Sequence, residues 1–216
     1  MRSELAGVPT PRFDALKAGS YSMASLQFSR GCPFLCEFCD IITVFGRRPR
    51  VKTTEQMIEE FEAVRRAGFR SCFLADDNFI GNKRHAKTLL LALIDWQKAH
   101  GYPLQLCTEA SINLADDAEL IALMAAANFH EVFIGIESPR KESLAETRKV
   151  QNIRGDALEA KVQRIRDGGL VVSAGFIVGF DHDDENLRRA VRFRPTHRDR
   201  TSRCQFADSD TLNAAL

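Results

Sequence analysis

Three cysteines packed into one short loop, Cys32, Cys36 and Cys39 in FSRGCPFLCEFCDI, have the spacing CxxxCxxC. Thiolates are the usual ligands of iron–sulfur clusters, commonly four to a cubane. Three in a tight loop can hold three irons and leave the fourth iron open, and an open metal position is what catalytic sites keep for a substrate or cofactor. A structural zinc site would need a fourth ligand at comparable spacing. The nearest candidates, Cys72 and His85, lie far along the chain; Cys72 reads as a core strand residue and His85 as a solvent-facing helix residue. Zinc and an accidental trio remain the competing readings of the spacing. Cys107 is expected to be a small buried hydrophobe, and Cys204 has no assigned role.

Such a loop needs a scaffold, and the remaining sequence reads as one. Ala24–Ser29 is a strand running into Arg30-Gly31 and the cysteines. Thr53-Thr54-Glu55-Gln56 fits a capping box, followed by Met57, Phe61 and Val64 on one helical face, with Gly68 as the stop. The unit then repeats. Strands are expected at 71–77, 104–111, 131–138 and 171–180. Helices are expected at 87–100, 117–128 and 156–167. Strands without clear alternation, separated by helices, predict an α/β fold with a parallel sheet. Five such units with short connections fit a barrel or part of one, with an open doubly wound sheet as the competing topology.

In parallel α/β folds ligands sit at the C-terminal strand ends. The polar residues collect there: the cysteine loop, Asp76-Asp77-Asn78, Glu109, Glu137-Ser138 and Asp181. Glu109 either reaches the site or forms an ordinary ion pair. A helix start is expected at Glu185–Val191, after which RFRPTHRDRTSRC is arginine-rich without apolar period and QFADSDTLNAAL offers no strand. The chain therefore divides into a linker-like segment 1–20, a core 21–186 and an atypical, poorly ordered tail 187–216. The abrupt change near Leu187 reads as a truncated or frame-shifted product that lacks its sixth strand.

The 216 residues carry a formal net charge of +1. That gives no support for a nucleic-acid binder. No run approaches the ~20 apolar residues of a membrane span, and the N-terminus has no apolar signal core. A cytoplasmic protein is the expectation.

CxxxCxxC with aromatic Phe38 before the last cysteine, in a loop after a first strand, resembles the signature of the radical S-adenosylmethionine (SAM) superfamily. The resemblance covers about Ser25 to Asp183. It implies a partial (β/α)6 TIM-like barrel, here with the last unit missing or altered. It also implies a [4Fe–4S] cluster on Cys32, Cys36 and Cys39, and SAM on the open iron. SAM is then cleaved by one electron to methionine and a 5′-deoxyadenosyl radical that attacks a small-molecule substrate, the electron coming from a donor such as flavodoxin or ferredoxin. Asp76, Asp77 and Asn78 stand where the superfamily usually has a Gly-Gly-Glu type motif for the SAM amino group, but without the glycines. A turn or helix cap is the other role for these residues. The resemblance places Glu137 and Ser138 near the ribose or amino group, Arg148 near the SAM carboxylate, and Gly175 and Gly179 in a fifth-strand glycine motif near adenine. Solvated or purely structural roles are the alternatives for Arg148 and the glycines. VPTPRFD, LADDNFIGN and GIESPRKESLAETRKVQN resemble a subgroup that includes hopanoid methylases and carries a cobalamin domain ahead of a Pro-rich linker, a domain for which this chain has no room. A non-catalytic iron–sulfur or zinc-binding remnant is the alternative function.

Overall fold

The computed structural model describes residues 4–17 and 19–182 together with the strand Cys204–Asp208. Six parallel strands make one sheet in chain order. They are β1 (Ala24–Leu26), β4 (Ser71–Leu74), β5 (Gln105–Ala110), β6 (Phe129–Glu137), β7 (Val171–Val178) and β8 (Cys204–Asp208). Consecutive neighbours without a reversal of order are what a chain of right-handed β-α crossovers produces in a barrel, so the doubly wound alternative falls away. β1 and β8 are not paired with each other, so the barrel is partial. A small antiparallel pair, β2 (Ser29–Arg30) and β3 (Arg50–Val51), brackets the cysteine loop.

The helices between these strands are α1 (Ile41–Val44), α2 (Thr54–Arg66), α3 (Lys83–Ala99), α4 (Ala118–Ala126), α5 (Lys141–Glu146), α6 (Val150–Ile153) and α7 (Leu158–Asp167). The capping box at α2 forms as its sequence predicts: Gln56 N donates to Thr53 Oγ1 at 3.2 Å, and Thr53 N donates to Gln56 Oε1 at 3.0 Å. Asn82 and Asp117 cap α3 and α4 through their side chains. α3 begins four residues before the expected start because Asn82 supplies the cap. The short α1, α5 and α6 carry too little periodicity to be read from sequence.

β1, β4 and β5 each bury one face. Leu26, Leu74, Leu106, Val132 and Val172 lie under the helices, packed with Phe61, Leu89, Leu93 and Ile165. The register aligns Leu74, Thr108, Val132 and Val172 across four strands. Intervening residues such as Phe73, Glu109 and Phe133 face the inside of the partial barrel, where space is left open. This two-faced character is why β1, β4 and β5 alternate in burial although their sequences show no clear alternation, whereas β7 is buried through most of its length.

Two expectations change. Residues 204–208 form a strand parallel to β7, with Ala174 opposite Cys204 and Val178 opposite Asp208. The sheet therefore has a sixth strand where none was expected, formed by backbone pairing along the open edge of β7. The linker-like segment is docked: Leu5 and Phe13 are buried, Phe13 meets Phe69 edge-on, and Gln56 Nε2 donates to Leu5 O. The expected helix start at Glu185–Val191 lies outside the described residues. Among the described residues no helix is long and apolar enough to cross a membrane.

Candidate functional site

The cysteine loop leaves the end of β2 and is pinned at both ends. Gly31 N donates to Asp77 Oδ2 at 2.7 Å, Cys32 N donates to Gly46 O at 3.2 Å, and Glu37 N donates to Thr147 O at 2.9 Å. Gly31 has φ +103°, and a Cβ there would meet Gly46 O at 2.8 Å. Only glycine takes that backbone and that approach cheaply. The loop is thus positioned by β4 on one side and the end of α5 on the other.

Cys32, Cys36 and Cys39 line one cavity of about 350 Å³ at the C-terminal strand ends. Its other walls include Phe34, Phe38, Asp77, Glu109, Glu137 and Lys149. Two side-chain amides aim at the sulfurs: Asn78 Nδ2 at Cys32 Sγ, 3.9 Å, and Gln151 Nε2 at Cys36 Sγ, 3.5 Å. Amide donors toward sulfur are a recurrent outer shell of thiolate-ligated clusters, where they tune the metal. Burial raises the Cys32 and Cys39 thiols above the ordinary cysteine range. A bound metal is what would hold them as thiolates. Among the described residues no three His, Cys, Asp or Glu side chains converge as ligands of a single ion would. A lone zinc draws its sulfurs to within ~4 Å of each other. A cubane takes each thiolate on a separate iron and asks for the wider spacing of a shared cavity.

The acidic triplet after β4 is divided in its roles. Asp76 is buried, and both its oxygens are engaged: Phe28 N donates to Oδ1 at 2.7 Å, while Ser29 N and Ser29 Oγ donate to Oδ2 at 3.0 and 2.7 Å. Burial pushes its carboxyl up to about 6, against these hydrogen bonds, which pull it down. It staples the start of β2 to the exit of β4. Asp77 latches Gly31 and still lines the cavity. Asn78 braces Ser111, its Oδ1 accepting from Ser111 N at 3.2 Å and its Nδ2 donating to Ser111 Oγ at 3.0 Å.

Glu137 ends β6 in the left-handed region, φ +63°, and pairs with the buried Lys149. Gly135 permits this: a Cβ there would collide with the Glu137 carboxylate and sit 2.7 Å from Lys149 Nζ. Lys149 Nζ also lies 5.6 Å from the centre of the Phe38 ring, which in turn packs on Phe180. Arg148 is not among the residues lining the cavity. It is exposed at φ +56° just past α5, whereas the neighbouring Lys149 lines the cavity. Ser138 is buried, and its Oγ accepts from Arg140 N at 3.1 Å; it is not among the cavity's lining residues. Gly175 and Gly179 are also outside the lining. Gly175 gives way to the Phe133 ring, which would lie 2.7 Å from a Cβ there. Tight packing is the role the structure gives Gly175.

Sequence reasoning missed Lys149 and Gln151. Gln151 Oε1 is buried with no hydrogen-bond partner among the described atoms, although the residue lines the cavity. An orphaned acceptor of this kind asks for a donor from a bound molecule. Glu109 also faces the cavity with no ion pair or hydrogen bond to its carboxylate among the described residues, and desolvation raises its pKa. His85 and Cys72 are exposed and buried respectively, as their sequence contexts predict.

Residues 26–194 match the family model of the radical SAM superfamily. An uncharacterized methyltransferase of Synechocystis sp. is 48% identical over 89% of this chain, and the hopanoid C-2 methylase of Rhodopseudomonas palustris is 41% identical over 84%. The matched stretch is 36% and 34% of those two proteins, so the chain spans about a third of their length. Among solved structures, the radical SAM methyltransferase TsrM from Kitasatospora setae, with cobalamin and a [4Fe–4S] cluster bound, superposes with a TM-score of 0.71. It shares 19% identity, over 86% of this chain and 34% of TsrM.

Proposed function

The chain belongs to the radical SAM superfamily, and from that premise we propose that Cys32, Cys36 and Cys39 hold three irons of a [4Fe–4S] cluster whose fourth iron takes SAM. When bound, the cluster and SAM together supply the one-electron cleavage of SAM to methionine and a 5′-deoxyadenosyl radical. The observation that carries the reading is that three thiols, two amide donors aimed at sulfur, one buried cation and one orphaned acceptor share a single cavity.

The chain's own residues then have separate tasks. Lys149, held by Glu137 and the Phe38 ring, is the cation for the SAM carboxylate. Gln151 Oε1 and the Glu109 carboxylate are the acceptors for its ammonium group. Asp77 keeps the loop in register through Gly31, and Asp76 serves the scaffold. Glu137, which lines the same cavity, is the proposed acceptor for a ribose hydroxyl. The phenylalanines Phe34, Phe38, Phe73 and Phe133 line the same space and keep water from the reacting atoms.

The chain is read further as the SAM-cleaving part of a methyltransferase acting on a small molecule, supported by its 41% identity to a hopanoid methylase. Cobalamin, which TsrM holds, is assigned to the part of the relatives that this chain does not align with. The cluster test is anaerobic reconstitution, with iron and sulfide counted per chain and 5′-deoxyadenosine measured after adding SAM and reductant. Cys32→Ala, Cys36→Ala and Cys39→Ala proteins should each lose most of their iron, while Cys72→Ala and Cys107→Ala keep it. Equal iron in the parent and the first three variants would sink the ligand assignment.

A further inference from the structure

The two ends of the Gln151 side chain differ in what they meet. Its Nε2 donates to Cys36 Sγ at 3.5 Å, whereas its Oε1 is buried with no hydrogen-bond partner among the described atoms. Gln151 and Cys36 are both buried, and both line the cavity. The position is fixed by its neighbours. Gln151 sits on the four-residue helix α6, and the next residue fastens that helix to the exit of β6: Asn152 Nδ2 donates to Gly135 O at 3.0 Å and to Ile136 O at 2.9 Å. Lys149, the cation of the same cavity, directly precedes α6. Asn78 provides an internal contrast. Its Nδ2 also points to a cysteine, Cys32 Sγ at 3.9 Å, but its Oδ1 already accepts from Ser111 N at 3.2 Å and from Ser111 Oγ at 3.3 Å. Two amides thus approach the sulfurs, one with its acceptor used by the protein and one with its acceptor left for a guest. A planar amide transmits polarisation. A donor placed on its oxygen makes its N–H a stronger donor, the more so where burial keeps the local dielectric low. Hydrogen bonds to the sulfurs in turn set the potential of an iron–sulfur cluster.

We propose that Gln151 is a positioning residue that links occupancy of the SAM site to the redox balance of the cluster. An N–H of the SAM amino group donated to Oε1 strengthens the Nε2–H bond to Cys36 Sγ, and the stronger bond favours the reduced, more negative cluster. The inference rests on the cluster reading above and deepens it. The step that Gln151 biases is a one-electron reduction, the cluster passing from its 2+ to its 1+ state, with dithionite as the reductant in the test below. No covalent bond forms or breaks. The coupling is reciprocal, so the reduced protein holds the ligand more tightly by the same factor. Asn78, whose acceptor is taken by Ser111, has no part in it.

The test uses the reconstituted full chain and aza-SAM, an analogue that keeps the amino-acid end of SAM and lacks the sulfonium that is cleaved. The cluster potential is measured by dithionite titration followed by EPR, with and without the analogue. Gln151→Met is similar in length and carries neither amide group. It should make the analogue-induced change in potential less positive, by the equivalent of a roughly fivefold loss of coupling, ~40 mV for one electron. Its preference for the analogue in the reduced over the oxidised state should fall by the same factor. Gln151→Glu keeps an acceptor and loses the donor to sulfur. It should still bind the analogue when oxidised and show the same loss of coupling. Iron content, sulfide content and melting temperature of both variants should match the parent. Asn78→Ala should keep the parental analogue-induced change. An analogue-induced change in the Gln151 variants equal to the parent's, or one diminished as much in Asn78→Ala, would overturn the proposal. If Gln151→Met loses iron, Gln151→Glu decides by the same comparison. A parent that takes up no iron and sulfide, or does not bind the analogue, would remove the cluster reading and this inference together. A parent that does both, with Gln151 variants that keep full coupling, would remove this inference alone.

Discussion

At the scale of single residues, the site depends on one-residue distinctions. Arg148 and Lys149 are adjacent cations, yet of the two only Lys149 lines the cavity. The left-handed backbone at Arg148 turns the chain after α5 and brings the next residue inward. Lys149→Gln should therefore weaken SAM binding to the reconstituted protein by roughly tenfold or more, the loss expected for a charge-assisted hydrogen bond. Arg148→Gln should leave it unchanged, and equilibrium binding checks both. Asp76 makes a different kind of prediction. Its folded pKa of about 6 lies above the ordinary carboxylate value, so the native state holds its proton more tightly than the unfolded chain does. The stability tied to that proton is complete below the unfolded value and is lost as pH rises through about 6. Asp76→Asn should flatten the difference in unfolding free energy across that window by on the order of 3 kcal/mol. Denaturant titrations of parent and variant at pH 4, 5, 6 and 7 measure it.

Among the elements, α2 and the cysteine loop show how much local sequence can dictate. The reciprocal bonds between Thr53 and Gln56 close the capping box that their spacing foretold. Thr53→Ala should cost about 1 kcal/mol, a fall of roughly 2–4 °C in melting temperature for a chain of this size. Calorimetry tests it. The loop itself was visible as CxxxCxxC, but its fastening was not. Asp77 was expected either to face a ligand or to cap a turn; it lines the cavity, and one of its oxygens also holds Gly31 N. That partner is 46 residues away in sequence, and only the parallel pairing of β1 with β4 brings the two together.

For the whole molecule, the N-terminal segment and β8 extend the unit beyond the alternating core. Phe13 is 8% exposed and packs on Phe69, so the segment ahead of β1 is part of the fold rather than a tether. Phe13→Ala should destabilise the protein by about 3 kcal/mol, the scale of a buried aromatic truncation. A value below 1 kcal/mol in chemical denaturation would show that the segment contributes nothing. At the other end, β8 extends the sheet to six strands by pairing along β7, an edge that would otherwise present unpaired backbone groups.

What the sequence alone determined is what short-range chemistry encodes: the cysteine spacing, the helix caps, the five apolar strands, and hence a parallel α/β scaffold with polar residues at one end. Those features depend on neighbours a few residues apart, and they are legible without a fold. Tertiary structure decided which polar residues face the cavity and which hold the scaffold. Asp76 turned to β2, Ser138 and Arg148 stayed outside, and Lys149, Gln151 and Glu109 took the inner positions. The reason is geometric. A polar residue at a strand end has the same local signature whether it binds a ligand or a distant backbone N–H, and only the packing of strands from far along the chain separates the two.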